Sequence, residues 1–87
     1  MDMSREAVII LDFPVQLADR KVTEVTMRRP VMRDLIKHNI TQKSDLRDDV
    51  NFIADLCNMT IEEMEYFDAS DFEKLQAQLL RFRGVRS

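Results

Sequence analysis

With a single glycine, Gly84, near its end, the chain of 87 residues can hardly build a phosphate-cradling loop, which needs several glycines in succession. One cysteine, Cys57, excludes an internal disulfide and suits a reducing compartment; together with one histidine, His38, it leaves no zinc set of the usual composition. The same scarcity excludes the common nucleophilic triads, because His38 sits amid charged neighbours with no partner spaced to activate it. Apolar runs stop well short of the ~18 residues of a membrane span, and Met1-Asp2-Met3-Ser4 lacks the basic start of a signal peptide. The chain therefore reads as cytoplasmic and non-enzymatic. No catalytic residue, cofactor-binding residue, metal ligand or cofactor is assigned.

The charges present are unevenly distributed. The formal net charge is −3, but residues 1–44 carry +2, residues 45–73 carry −9 and residues 74–87 carry +4. An acidic middle between basic ends is a poor match for nucleic acid, which wants one continuous positive face. It suits contact with a protein partner or between copies of the chain. Acidic groups such as Asp48-Asp49 and Glu62-Glu63-Glu65 lack the glycine and alternating ligands of a calcium loop, and read as solvated helix faces.

Periodicity changes at Pro30. Upstream, Val8-Ile9-Ile10-Leu11-Asp12-Phe13-Pro14-Val15 and Val22-Thr23-Glu24-Val25-Thr26-Met27-Arg28 carry the β-branched residues and alternation of strands. They predict a hairpin over 7–28. A ladder that pairs Phe13 with Met27, Val15 with Val25 and Asp12 with Arg28, with Asp19-Arg20-Lys21 as the loop, gathers apolar residues on one side and sets opposite charges together on the other. Pro14 cannot donate to a ladder and implies a free edge or a bulge. The strand start, apolar on both faces at Val8 and Ile10 as well as Ile9 and Leu11, predicts cover on both sides, from the chain's own helices or from a partner.

Downstream the spacing is helical. Pro30 is expected at the first helical position, followed by Val31, Met32, Leu35 and Ile36 on one side and Arg33, Asp34 and Lys37 on the other. His38 falls at this helix's surface end, with Asn39 as its stop. Ser44 or Asp45 would cap a second helix striped by Leu46, Val50, Ile53 and Cys57, with Phe52 and Leu56 beside them and Asn58 at its close. Thr60-Ile61-Glu62-Glu63 has the form of a capping box with Met59 and Met64 as a staple, and Ser70-x-x-Glu73 suggests a second box before Phe72, Leu75, Leu79 and Phe82. Gly84 would end that helix. The prediction is an α+β fold: an N-terminal two-stranded antiparallel β-hairpin, then three or four short packed α-helices at 30–83, one domain with tails at 1–6 and 84–87.

Two groups of residues stand out as partner contacts. The four cations Arg28, Arg29, Arg33 and Lys37 could meet phosphate or carboxylate, or pair within the chain, beginning with Asp12 and Asp34. A small regulatory nucleic-acid-binding protein using this cluster is the alternative to a protein-binding module. The methionines Met27, Met32, Met59 and Met64 belong to apolar faces, as core filling or as adaptable contact surface. The candidate partner-binding set is Val8, Ile10, Met27, Arg28, Arg29, Val31, Met32 and Arg33.

The segments Leu11-Asp12-Phe13-Pro14-Val15, Val22-Thr23-Glu24-Val25-Thr26-Met27-Arg28-Arg29-Pro30 and Arg33-Asp34-Leu35 resemble the small tail assembly chaperones of contractile-tailed phages and prophages. Leu56-Cys57-Asn58-Met59-Thr60 and Asp71-Phe72 with Leu75 and Phe82 extend the likeness over about residues 7–83. Two features depart from it: the turn Ala18-Asp19-Arg20-Lys21 has no glycine, and Cys57 stands where a bulkier residue or glycine is usual. The resemblance implies a non-enzymatic factor that binds the tape measure protein, helps recruit tail tube protein subunits, self-associates, and is absent from the mature virion. It also implies a longer, frameshifted form beside this short one.

Overall fold

The computed structural model describes residues 5–38 and 45–84. Two antiparallel strands, β1 (Glu6–Gln16) and β2 (Lys21–Arg28), precede four helices: α1 (Met32–Lys37), α2 (Leu46–Leu56), α3 (Ile61–Met64) and α4 (Ala69–Phe82). The architecture is α+β. Asn39, Ser44, Met1 and Met3 lie outside the described residues, and so do the expectations placed on them.

The hairpin forms in a different register from the expected one. Ala7 pairs with Met27 and Ile9 with Val25, but beyond a shift between Ile10 and Val15 the partners become Val15–Val22 and Gln16–Lys21. Phe13 therefore does not face Met27, nor Val15 Val25, nor Asp12 Arg28. The expected ladder assumed an unbroken strand. Instead, Leu11-Asp12-Phe13-Pro14 bulge out opposite β2, at the residue that cannot donate. The tip is tighter than a three-residue loop, since Leu17 N–H donates to Arg20 C=O at 2.8 Å across Ala18-Asp19. Neither tip residue has positive φ, so this turn works without glycine.

Alternation then determines what is buried. Ile9, Leu11 and Val15 of β1 and Val22, Val25 and Met27 of β2 enter the core, where they meet Phe52, Ile53 and Leu56 of α2, Met64 of α3 and Leu75, Leu79 and Phe82 of α4. α4 lies against β1, and α2 against β2, α3 and α4. Cys57 is buried here, and desolvation pushes its thiol up to about 12, so it is an inert apolar filler at neutral pH.

The helix ends follow local chemistry. Asp45 caps α2 by accepting from Asp48 N–H at 3.0 Å. Asn58, at φ 55°, closes it: Asn58 N–H reaches Asp55 C=O and Met59 N–H reaches Ala54 C=O, a Schellman arrangement. The Thr60–Glu63 box forms in both directions, at 2.9 and 3.1 Å. The second expected box does not. Asp68 caps α4 through Ser70 N–H, two residues ahead of the expected serine cap, because the aspartate already reaches the N–H that needs an acceptor.

α1 differs most from expectation. Pro30 precedes the N-cap, Val31, rather than opening the helix. The helix is also turned: Asp34 is buried and Leu35 half-buried, while Val31, Met32 and Ile36 face out. Leu46, expected in the buried stripe of α2, is likewise exposed at the first turn of that helix.

Candidate functional site

Two buried aspartates join helices to the hairpin. The bulge in β1 points the N–H groups of Asp12 and Phe13 away from any strand partner, and both donate to Asp71 of α4, at 2.9 Å to Oδ1 and 2.9 Å to Oδ2. Asp71 is fully buried. Burial alone would raise its pKa, but the two N–H donors and Lys74 at 3.5 Å outweigh that and hold it below the usual carboxylate range. Lys74 extends the seal: its ammonium donates to Ile10 C=O at 3.2 Å and pairs with Asp12 at 2.8 Å. Asp12 thus pairs with Lys74 and not with Arg28, because the bulge carries it to α4.

The second junction holds α1. Arg28, at the end of β2, grips Asp34 with both guanidinium nitrogens at 2.7 Å, and Val31 N–H donates to the same carboxylate at 2.8 Å. The hydrogen bonds from Arg28 lead, and with the Val31 N–H they overcome burial and lower Asp34 to about 2. Behind this fork stands Asp55 of α2, with His38 Nε2 at 3.0 Å, Lys37 Nζ at 3.5 Å and Arg28 Nη2 at 3.7 Å. Asp55 is lowered too, first by the His38 hydrogen bond and then by Lys37. His38 is half-buried, stacked on Phe52 at 5.4 Å between ring centroids, and is therefore not the surface terminus expected of it. It clamps the end of α1 onto α2.

This arrangement uses most of the expected cation cluster. Arg28 and Lys37 meet carboxylates, the Arg29 guanidinium lies 5.4 Å over the Phe82 ring, and Arg33 is exposed. They do not present one continuous positive face. Elsewhere, Arg20 at the hairpin tip bridges to Glu63 of α3 at 2.9 Å. Among the described residues, no group of three His, Cys, Asp or Glu side chains could hold a metal ion.

Several large apolar side chains are exposed. On the outer face of β1, Val8 is 54 % and Ile10 65 % exposed, so among the described residues no helix covers this face, for which cover by the chain's own helices or by a partner was expected. Phe13 in the bulge is exposed as well. On α1, Val31, Met32 and Ile36 point outward. Met27 belongs to neither surface: it is 0 % exposed, packed in the core, where a partner cannot touch its side chain. Of the candidate contact residues, Val8, Ile10, Val31, Met32 and Arg33 are thus at the surface, and Arg28 is partly exposed but bound to Asp34. Sequence reasoning missed Phe13, Ile36 and Leu46 as surface residues, and Asp71 and Asp55 as organisers. Isolated carboxylates beside apolar stripes, Asp71 before Phe72 and Asp55 between Ala54 and Leu56, were the available signal.

The site is thus a hairpin pinned to helices by internal carboxylates, with aliphatic side chains of β1 and α1 turned to solvent. Residues 8–84 match the family of phage tail assembly chaperone proteins, E, or 41 or 14, and the chain belongs to that family. No curated protein and no solved structure matches it.

Proposed function

We propose that the chain is a non-enzymatic chaperone that binds the tape measure protein and helps recruit tail tube subunits while the tail is built in the host cytoplasm, leaving before the virion matures. The observation that carries this reading is the uncovered outer face of β1. Val8 and Ile10 stand on a strand whose opposite face is core, so the backbone beneath them is fixed and the side chains need no rearrangement to meet a client. A tape measure protein is long and helical, and an apolar stripe along it would remove these two side chains from water. At about 25 cal/mol per Å² of apolar surface, each would contribute on the order of 1–2 kcal/mol, which gives weak, repeatable grip rather than permanent capture. A longer, frameshifted form would share this surface and add a second module.

Co-expression with the tape measure protein of the same phage tests the reading. The wild-type chain is expected to co-purify with it, and Ile10→Asp to lose at least tenfold in affinity with its helicity unchanged. Failure of the wild-type pair to co-purify would remove the proposal. Duplex DNA at two salt concentrations is the control. The internal pairing of Arg28 and Lys37 predicts little binding, whereas strong binding with a steep salt slope would favour the nucleic-acid alternative.

A further inference from the structure

The two strands of the hairpin have unequal outer edges. Arg29 N–H donates to Arg5 C=O at 2.7 Å. In an antiparallel ladder that bond sets the phase: Ala7–Met27 and Ile9–Val25 exchange hydrogen bonds, while in Val8–Thr26 and Ile10–Glu24 the N–H and C=O groups point away from the other strand. Ile10 agrees, because its C=O accepts from Lys74 on the outside. Along β1, α4 stands across this outer edge from Ile10 onward: Lys74 takes the Ile10 carbonyl, and Asp71 takes the N–H groups of Asp12 and Phe13. Along β2, the outward groups of Glu24 and Thr26 have no hydrogen-bond partner among the described residues, and both residues are exposed. A cleft of about 520 Å³ runs beside them, between residues 20–26 and the turn Cys57-Asn58-Met59 that ends α2. Its lining takes Val22 and Val25 from the inner face of β2, Thr23, Glu24 and Thr26 from the outer face, and nothing from β1, so it follows the edge of the strand. Seven residues of strand span about 20 Å, room for an extended segment of about six residues. No proline guards this strand.

We infer that the outer edge of β2 is a docking site for an extended segment of a protein partner, which adds there as a third, antiparallel strand. The backbone groups of Glu24 and Thr26 are matched only by another extended main chain, and antiparallel pairing is the more stable per residue. The edge also fixes what the segment carries. Its residues facing Thr26 and Glu24 lie on the outer face of the sheet, and the one between them, facing Val25, points inward over Met59, half-buried in the cleft wall. Glu24 has no ion-pair partner among the described residues, so a lysine or arginine opposite it adds a cross-strand charge pair. The cations of the cleft, Arg20 and Lys21, stand at the hairpin tip, and Arg20 is already bound to Glu63. The fitting sequence is therefore a β-branched residue, an apolar residue and a cation in succession. Main-chain hydrogen bonds supply the affinity and these side chains the selection.

The probe is a synthetic peptide, acetyl-Thr-Val-Thr-Val-Lys-Val-Thr-amide, titrated into the isotope-labelled full chain and followed by NMR. Saturable binding with a Kd below about 1 mM is expected. At saturation, amide exchange of Glu24 and Thr26 is expected to slow at least about tenfold, with that of Val25 and Met27, already in the ladder, unchanged. N-methylation of the peptide threonine that faces Thr26 should abolish binding, whereas N-methylation of the next valine, whose N–H points away, should leave it within about twofold. Thr26→Pro removes an outward donor and no ladder bond, and is expected to lose the peptide with the circular dichroism of the chain unchanged. Glu24→Lys, at an exposed position, is expected to reverse the charge preference and favour the same peptide with glutamate in place of lysine by about threefold. That variant carries the test if the proline variant does not fold. Absence of binding, equal loss from either N-methyl group, or an unchanged preference in Glu24→Lys would overturn the inference. So would protection of Glu24 and Thr26 that grows with chain concentration in the absence of peptide, since a second copy would then fill the edge. The peptide contains no client sequence, so none of these outcomes bears on the tape-measure reading.

Discussion

α4 and α1 are both tied to the hairpin by a buried aspartate, yet they leave opposite surfaces to the solvent. Asp71 fastens α4 to the bulge, and behind it Leu75, Leu79 and Phe82 turn into the core. Asp34 fastens α1 to Arg28, and there the apolar residues Met32 and Ile36 turn out. In α4 hydrophobic burial and hydrogen bonding act together. In α1 the ion pair and the His38–Asp55 clamp do most of the holding, with Leu35 half-buried beneath. A short helix held by charge can spend its apolar face on another molecule; one held by its apolar face cannot.

This contrast can be broken from both sides. The largest effect is expected from Asp71→Ala, which strands the Asp12 and Phe13 N–H groups beneath α4 and removes the acceptor for Lys74. A loss of about 3 kcal/mol is expected in urea unfolding, a large share of the stability of so small a domain. Asp34→Ala should cost less, about 2 kcal/mol, because the exposed side of Arg28 can return to water. Its signature is local: amide exchange is expected to speed up in α1 and not in α4.

Acid should reproduce the second change. Asp34 has a folded pKa of about 2, below its unfolded value near 4, so its stabilisation is fully present above about pH 4 and is lost as pH falls toward 2. The shift corresponds to about 2 kcal/mol. Asp55 and Asp71 are lowered as well and add to the loss in the same direction. Unfolding measured at pH 5, 4, 3 and 2 should show a steep fall in the wild-type chain and a shallower one in Asp34→Ala. Equal slopes would mean that the Arg28 fork does not act on stability. The smallest effect on folding is expected from Ile10→Asp, within about 1 kcal/mol, since the side chain is already exposed and only strand preference changes.

How far the sequence was legible follows the same division. Local chemistry could be read directly: the Thr60–Glu63 box, Asp45 as a cap, Asn58 and Gly84 as stops, and strands to one side of Pro30 with helices to the other. All these depend on neighbours in sequence. The errors arose where a residue answers to something distant. The register was misread because Asp71, some sixty residues away, satisfies the bulge and makes an irregular β1 cheaper than a regular one. The packing of α1 was misread because hydrophobic periodicity groups Leu35 with Val31, Met32 and Ile36 and sets Asp34 on the opposite side, while the Arg28–Asp34 fork turns Asp34 inward, leaving Leu35 half-buried and Val31, Met32 and Ile36 exposed. His38 was misread for a like reason, as neither Asp55 nor Phe52 is near it along the chain. Val8 and Ile10 were legible as an extra apolar face; that none of the described helices covers them was not.

The most direct test of the account is a binding titration of the tape measure protein against the wild-type chain and Ile10→Asp, each shown to be folded at the same temperature. Saturable wild-type binding, weakened at least tenfold by a substitution that leaves unfolding within about 1 kcal/mol, is the predicted result. Equal binding by the two proteins would contradict it, and would move the client away from the open face of the hairpin.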